Sequence, residues 1–172
     1  LLSAGCVVAA SLVTGLTVWS LRPAPPAQPV SRLVVPLPPN EQLQGAGAPM
    51  LALSPDGTQL AYVAGAGAGR RISLRALDTL EARPIAGTEG ATDPFFSPDG
   101  QWIGFFATGK LKKVSVSGGA VLTLCDAANP RGGAWGANDT IVLAPTAAAG
   151  LSQVSAAGGE PQVMTKLKEG EV

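Results

Sequence analysis

The sequence predicts an all-β chain built from about three copies of one four-stranded unit, and three observations carry that prediction. A tetrapeptide, Ser54-Pro55-Asp56-Gly57, returns 43 residues later as Ser97-Pro98-Asp99-Gly100. Similar apolar runs follow the two copies, Thr58-Gln59-Leu60-Ala61-Tyr62-Val63-Ala64 and Gln101-Trp102-Ile103-Gly104-Phe105-Phe106-Ala107. The 22 Gly and 15 Pro among 172 residues suffice for a turn roughly every ten residues.

Along the chain, Leu1–Leu21 comes first and contains no charged residue. As a helix it would span roughly 30 Å, the thickness of a hydrocarbon core. Trp19 suits the membrane interface and Arg22 closes the run. A helix buried in a soluble protein is rarely apolar all round for about six turns. A secretory signal has a shorter apolar region between a basic flank and a cleavage site. Ser3-Ala4-Gly5-Cys6 resembles a lipoprotein cleavage site, yet more membrane-type sequence follows it. The expectation is a retained transmembrane helix over 1–21, with the membrane as a partner. Because the first residue is Leu and not Met, residues upstream are expected as well.

Residues 22–30 hold four prolines and read as an extended stalk. Within the lead-in 31–49, Leu33-Val34-Val35-Pro36-Leu37 is a short strand broken by proline, which suits a sheet edge.

The repeat units cover about 50–90, 91–130 and 131–172. In the tetrapeptide, Pro55 and Pro98 fix φ at the second turn position. Asp56 and Asp99 can bond local backbone, and Gly57 and Gly100 accept positive φ. Each copy reads as the turn of a β-hairpin. A degraded third copy, Trp135-Gly136-Ala137-Asn138-Asp139-Thr140-Ile141, keeps turn chemistry through Asn-Asp. The second half of the unit also repeats: Leu111–Gly118-Gly119 aligns with Leu151–Gly158-Gly159, 40 residues on. In the first unit Ile72–Asp78 takes that place, with an Asp-containing turn. For the second unit the strands are expected at about 94–96, 102–106, 111–116 and 121–124. Four antiparallel strands in about 40 residues form a propeller blade. Apolar residues on both faces of 60–64 and 102–107 fit strands held between neighbouring blades. A parallel βαβ arrangement is excluded because no connection can hold a crossover helix.

The 12 basic residues balance 12 acidic ones, so no global field draws nucleic acid, and no nucleic-acid partner is expected. Lys110-Leu111-Lys112-Lys113 reads as a solvated blade edge. Cys6 and Cys125 cannot pair if the first lies in a membrane, and Cys125 reads as a small buried apolar residue. The chain has no His, which removes Ser-His-Asp and Cys-His sites and the commonest metal clusters. One carboxylate per turn does not make Asp56 or Asp99 a metal site or an acid catalyst. Gly65-Ala66-Gly67-Ala68-Gly69-Arg70 joins two strands and opens no helix, so it is not a phosphate loop. Kinase catalytic motifs are missing. No catalytic residue, cofactor or metal is expected.

The Ser-Pro-Asp-Gly turns, the apolar strands after them and the later Gly-Gly turns resemble TolB-type propeller repeats, from roughly Leu33 onward. Residues Ser73–Gly136 are similar to the propeller ectodomain of bacterial membrane-anchored serine/threonine kinases. The resemblance implies a non-catalytic sensor or interaction domain on the extracytoplasmic side of a bacterial inner membrane. It would bind a protein or small-molecule ligand, with a kinase domain upstream. The alternatives are the propeller of a prolyl-oligopeptidase-like hydrolase and a TolB-like periplasmic interaction protein. It also implies further blades after Val172, about six in all. With three units, the outer faces of the first and third should be open, and Val154, Val163 and Met164 are expected to be exposed.

Overall fold

Twelve strands and their connecting turns make up the part of the chain that the computed structural model describes, residues 50–65 and 69–167. The first blade comprises β1 (Leu51–Leu53), β2 (Gln59–Ala64), β3 (Arg71–Ala76) and β4 (Ala82–Pro84). The second comprises β5 (Thr92–Phe96), β6 (Trp102–Ala107), β7 (Lys110–Ser115) and β8 (Leu122–Asp126). The third comprises β9 (Gly133–Trp135), β10 (Thr140–Leu143), β11 (Ser152–Ser155) and β12 (Gln162–Val163). Each blade is a separate four-stranded sheet in which every strand pairs antiparallel with its neighbour in sequence. The first strands of the blades, β1, β5 and β9, approach one another in succession, as the innermost strands of a propeller do. Three four-stranded sheets in this order are a partial propeller.

The expected transmembrane helix does not belong to this architecture. The described residues contain no helix long and apolar enough to cross a membrane. Their elements are all strands of six residues or fewer, and neighbouring blades, not lipid, cover the apolar faces of those strands. The fold class is therefore corrected to all-β. Leu1–Leu21, the proline-rich 22–30 and the lead-in 31–49 lie outside the described residues.

The doubly apolar strands are explained by two cores, one on each side of the second blade. Side chains alternate across a strand, so β6 divides its residues between them. Ile103, Phe105 and Ala107 pack with Ala61, Val63, Ile72 and Leu74 of the first blade. Phe106 points the other way and joins Phe95, Leu111, Ile141, Leu143 and Val154. Fully burying such a side chain contributes about 1.5–3 kcal/mol, so the second blade draws stability from both faces.

The outer faces are open only in part. On the first blade Leu51 and Leu53 are each 54 % exposed. Beyond β11, Val163 and Met164 are exposed as expected, at 66 % and 50 %. Val154 is not: it is 4 % exposed. It pairs with Ile141 across the sheet, and both point at the second blade. The face that β10 and β11 turn away from that blade carries Thr140, Val142, Gln153 and Ser155. The apolar side of the third blade is thus already spent on the neighbour it has.

Candidate functional site

The two Ser-Pro-Asp-Gly turns have one geometry. Ser54 Oγ donates to Asp56 Oδ1 at 2.6 Å and accepts from the Gln59 amide at 2.8 Å. Ser97 Oγ donates to Asp99 Oδ1 at 2.5 Å and accepts from the Trp102 amide at 2.9 Å. The Thr58 and Gln101 amides donate to these same oxygens, Asp56 Oδ1 and Asp99 Oδ1, both at 3.0 Å. Gly57 and Gly100 close the turns at φ 71° and 69°. Hydrogen bonds from Ser54 and then Thr58 hold the Asp56 carboxyl below its ordinary range, and Ser97 and Gln101 do the same for Asp99. Pro55 and Pro98 lie beside these carboxylates in the turns. Both carboxylates are occupied with holding the chain reversal.

The third turn solves the problem differently. It is one residue shorter, closed by the Gly136 amide on the Thr140 carbonyl at 2.8 Å. Asn138 and Asp139 both have positive φ, 58° and 53°, the consecutive left-handed pair that mirror-image hairpin turns require. The later turns of the second and third blades match: Gly118 and Gly158 stand at φ 93° and 92°, Gly119 and Gly159 at 119° and 133°. Gly158 is the more constrained, since a Cβ there would lie 3.2 Å from the Leu124 carbonyl oxygen.

Between the second and third turns the seam opens into a groove of about 620 Å³. Trp102 and Lys113 line it from the second blade and Trp135 from the third, with Asp99, Asn138 and Asp139 on its rim. The Lys113 ammonium lies over the Trp102 ring, 4.5 Å from its centroid, and 5.9 Å from that of Trp135. Behind them, Phe95 makes an edge contact with Trp135 at 6.4 Å and a tilted one with Phe106 at 6.2 Å. The Phe95 ring fits only because Gly104 and Gly133 have no side chain: a Cβ on Gly104 would lie 2.3 Å from it. Trp135 Nε1 is buried and has no acceptor.

Strand register identifies the corresponding positions in the other seam. Lys113 pairs with Gly104 as Leu74 pairs with Ala61. Trp135 pairs with Ile141 as Phe96 pairs with Ile103. Trp102 precedes Ile103 as Gln59 precedes Leu60. The trio Trp102, Lys113 and Trp135 is therefore Gln59, Leu74 and Phe96 between the first two blades, where neither an ammonium nor an indole is present.

Reading the sequence misses this groove. Its members lie on three strands, and the lysine run was expected to be a solvated edge. Lys110 does extend outward, paired with Asp126, but Lys113 is half-buried against tryptophan. The available signal was two tryptophans in register with the repeated turn. Elsewhere in the second blade, Asp93 lies on innermost strand β5, buried at the irregularity between Thr92 and Phe95, with φ 49°. One of its carboxylate oxygens is unpartnered, and burial pushes its pKa up. Burial, reinforced by the Asp126 charge, also raises the Cys125 thiol. Among the described residues no group of three or more His, Cys, Asp or Glu could hold a metal ion.

No protein-family model matches the chain, and no curated protein matches it. Solved structures do. A TolB structure from Agrobacterium tumefaciens aligns with a TM-score of 0.59 at 23 % identity, covering 70 % of this chain and 50 % of its own. TolB from Acinetobacter baumannii aligns at 0.54 and 17 %, covering 71 % of this chain and 33 % of its own. The β-propeller domain of the Trilobed protease from Pyrococcus furiosus, described as having an open velcro topology, aligns at 0.50 and 18 %, covering 70 % and 41 %. The chain thus spans half or less of each of these proteins. Three stacked meanders, the repeated turn and these alignments agree that the chain carries TolB-like β-propeller blades.

Proposed function

We propose that these blades form a non-catalytic interaction domain whose docking place is the groove between the second and third blades. The observation that supports this most is the replacement of Gln59, Leu74 and Phe96 by Trp102, Lys113 and Trp135 at matching register positions. Paired aromatic rings around a polar group are the residue types that dominate recognition surfaces. A photo-cross-linking residue at Asn138, on the rim, should capture a partner in cells. The same probe at Leu80, an exposed residue of the first blade, should capture much less. Equal capture at both positions would overturn the assignment of the groove.

At the level of the whole protein, the resemblance of Ser73–Gly136 supports membership of a receptor-like bacterial serine/threonine kinase, with the kinase domain upstream. A kinase catalytic loop and an Asp-Phe-Gly segment encoded upstream in the gene would bear this out. A Gly-x-Ser-x-Gly segment encoded downstream would instead place the blades beside a hydrolase.

A further inference from the structure

Two donors of the residues that line the groove have no acceptor. Among the described residues the one ion pair is Lys110–Asp126. Lys113 has no carboxylate within reach there, and its ammonium rests against the Trp102 ring. From the facing blade, Trp135 Nε1–H is buried with no acceptor. A buried donor without a partner is uncommon in folded proteins and calls for a cause. On the rim, Asp99 Oδ1 already accepts from Ser97 and Gln101.

We propose that the groove receives a single carboxylate, an aspartate or glutamate side chain carried on an extended segment of a partner polypeptide. This rests on the reading of the groove as a docking place. One carboxylate oxygen pairs with Lys113 and the other accepts from Trp135 Nε1–H. The stem of the acidic side chain lies between the two indole rings, and the ammonium moves off the Trp102 face to meet it. Asp99 and Asp139 on the rim set the selectivity. Their charges oppose a phosphate or a polyanion and favour an acid followed by a basic residue, whose cation would face the rim. Between the first two blades, Gln59, Leu74 and Phe96 offer no cation and no indole donor, and the Arg83 guanidinium at that rim is engaged with the Val116 carbonyl.

The test uses the chain with uniform ¹⁵N labelling and three capped tripeptides, acetyl-Gly-Glu-Lys-amide, acetyl-Gly-Gln-Lys-amide and acetyl-Gly-Lys-Lys-amide. The readout is the Trp135 indole N–H resonance, assigned with Trp135→Phe. The glutamate peptide should shift that resonance downfield saturably and bind about tenfold more tightly than the glutamine peptide. Lys113→Met should remove the preference while leaving the thermal transition in place. Trp135→Phe, which keeps a ring and loses the donor, should weaken binding severalfold, followed through Trp102. Equal binding of the glutamate and glutamine peptides, or preference for the lysine peptide, would overturn the carboxylate but leave the groove a docking site. If none of the three perturbs Trp102 or Trp135, the carboxylate proposal fails. If, in addition, cross-linking at Asn138 captures nothing, the docking reading fails with it.

Discussion

Between the first and second blades, small aliphatic side chains (Ala61, Val63, Ile72, Leu74) meet Ile103, Phe105 and Val114, nearly all without exposure. The rim of that seam is tied by the Arg83 guanidinium, which donates to the Val116 carbonyl at 2.6 Å. Between the second and third blades the contact is made by rings, Phe95, Phe106 and Trp135, seated on glycine. Its rim is tied by backbone alone, the Gly159 amide on the Leu124 carbonyl at 3.0 Å. One repeat therefore builds two kinds of seam. Aliphatic side chains with Phe96 and Phe105 fill the first, whose rim pocket is lined by Gln59, Leu74, Arg83 and Val116, whereas at the second, rings, a half-buried ammonium and a shorter third turn line the groove.

The strongest way to break the comparison is to hollow out the core of the first seam. Phe105→Ala should cost about 3–5 kcal/mol, read as a lowered urea midpoint. Trp135→Ala, at the edge of the open groove, should cost clearly less. Equal losses would show that the two seams are equally packed.

Glycine comes next. Gly104→Ala should displace Phe95 and cost about 1–3 kcal/mol, with loss of the ring-shifted methyl resonances of Ile141 and Leu143. Ala61, its counterpart in the first blade, already carries that methyl and packs with it fully buried. Within the later turns, Gly158→Ala should be worse than Gly118→Ala. Both pay the positive-φ strain of about 1–2 kcal/mol, but only Gly158 also presses on the Leu124 carbonyl. Comparable melting temperatures for the two variants would remove that distinction.

How much of this was legible follows from where the information lies. The repeated turn could be read because all its bonds are local: Ser54 to Asp56 and Gln59, Ser97 to Asp99 and Trp102. Strands followed from the turns, since each pairs with its neighbour in sequence. What could not be read was which neighbour each face would meet. Val154 was expected to be open because the third of three units has no following neighbour, yet register with Ile141 aims it inward. The groove joins positions 102, 113 and 135 through stacking of separate sheets, which leaves no periodicity within any one strand.

The smallest expected effects concern pH. Asp56 and Asp99 titrate below an ordinary carboxyl, so their contribution is present above about pH 4 and is lost as pH falls through their lowered values. Asp93 runs the opposite way. Its raised pKa means that the ionised form destabilises the fold at neutral pH, and protonation relieves this as pH falls toward about 4. Asp93→Asn, which tolerates the same positive φ, should raise the melting temperature slightly at neutral pH and leave it unchanged near pH 3. A lower melting temperature at neutral pH would show that the carboxylate has a stabilising role.

Strand order bears on synthesis. Among the described residues each sheet is an uninterrupted meander, so none of these twelve strands waits for a partner from a later blade. A blade can complete its pairing as soon as its fourth strand leaves the ribosome, and the loops to be closed are short. The second blade would then emerge onto a first whose Ala61 and Val63 are already in place, and the third onto Phe95 and Phe106. Nascent chains stalled after the fourth, eighth and twelfth strands should gain protease resistance in three steps. A single late step would mean that the blades assemble only together.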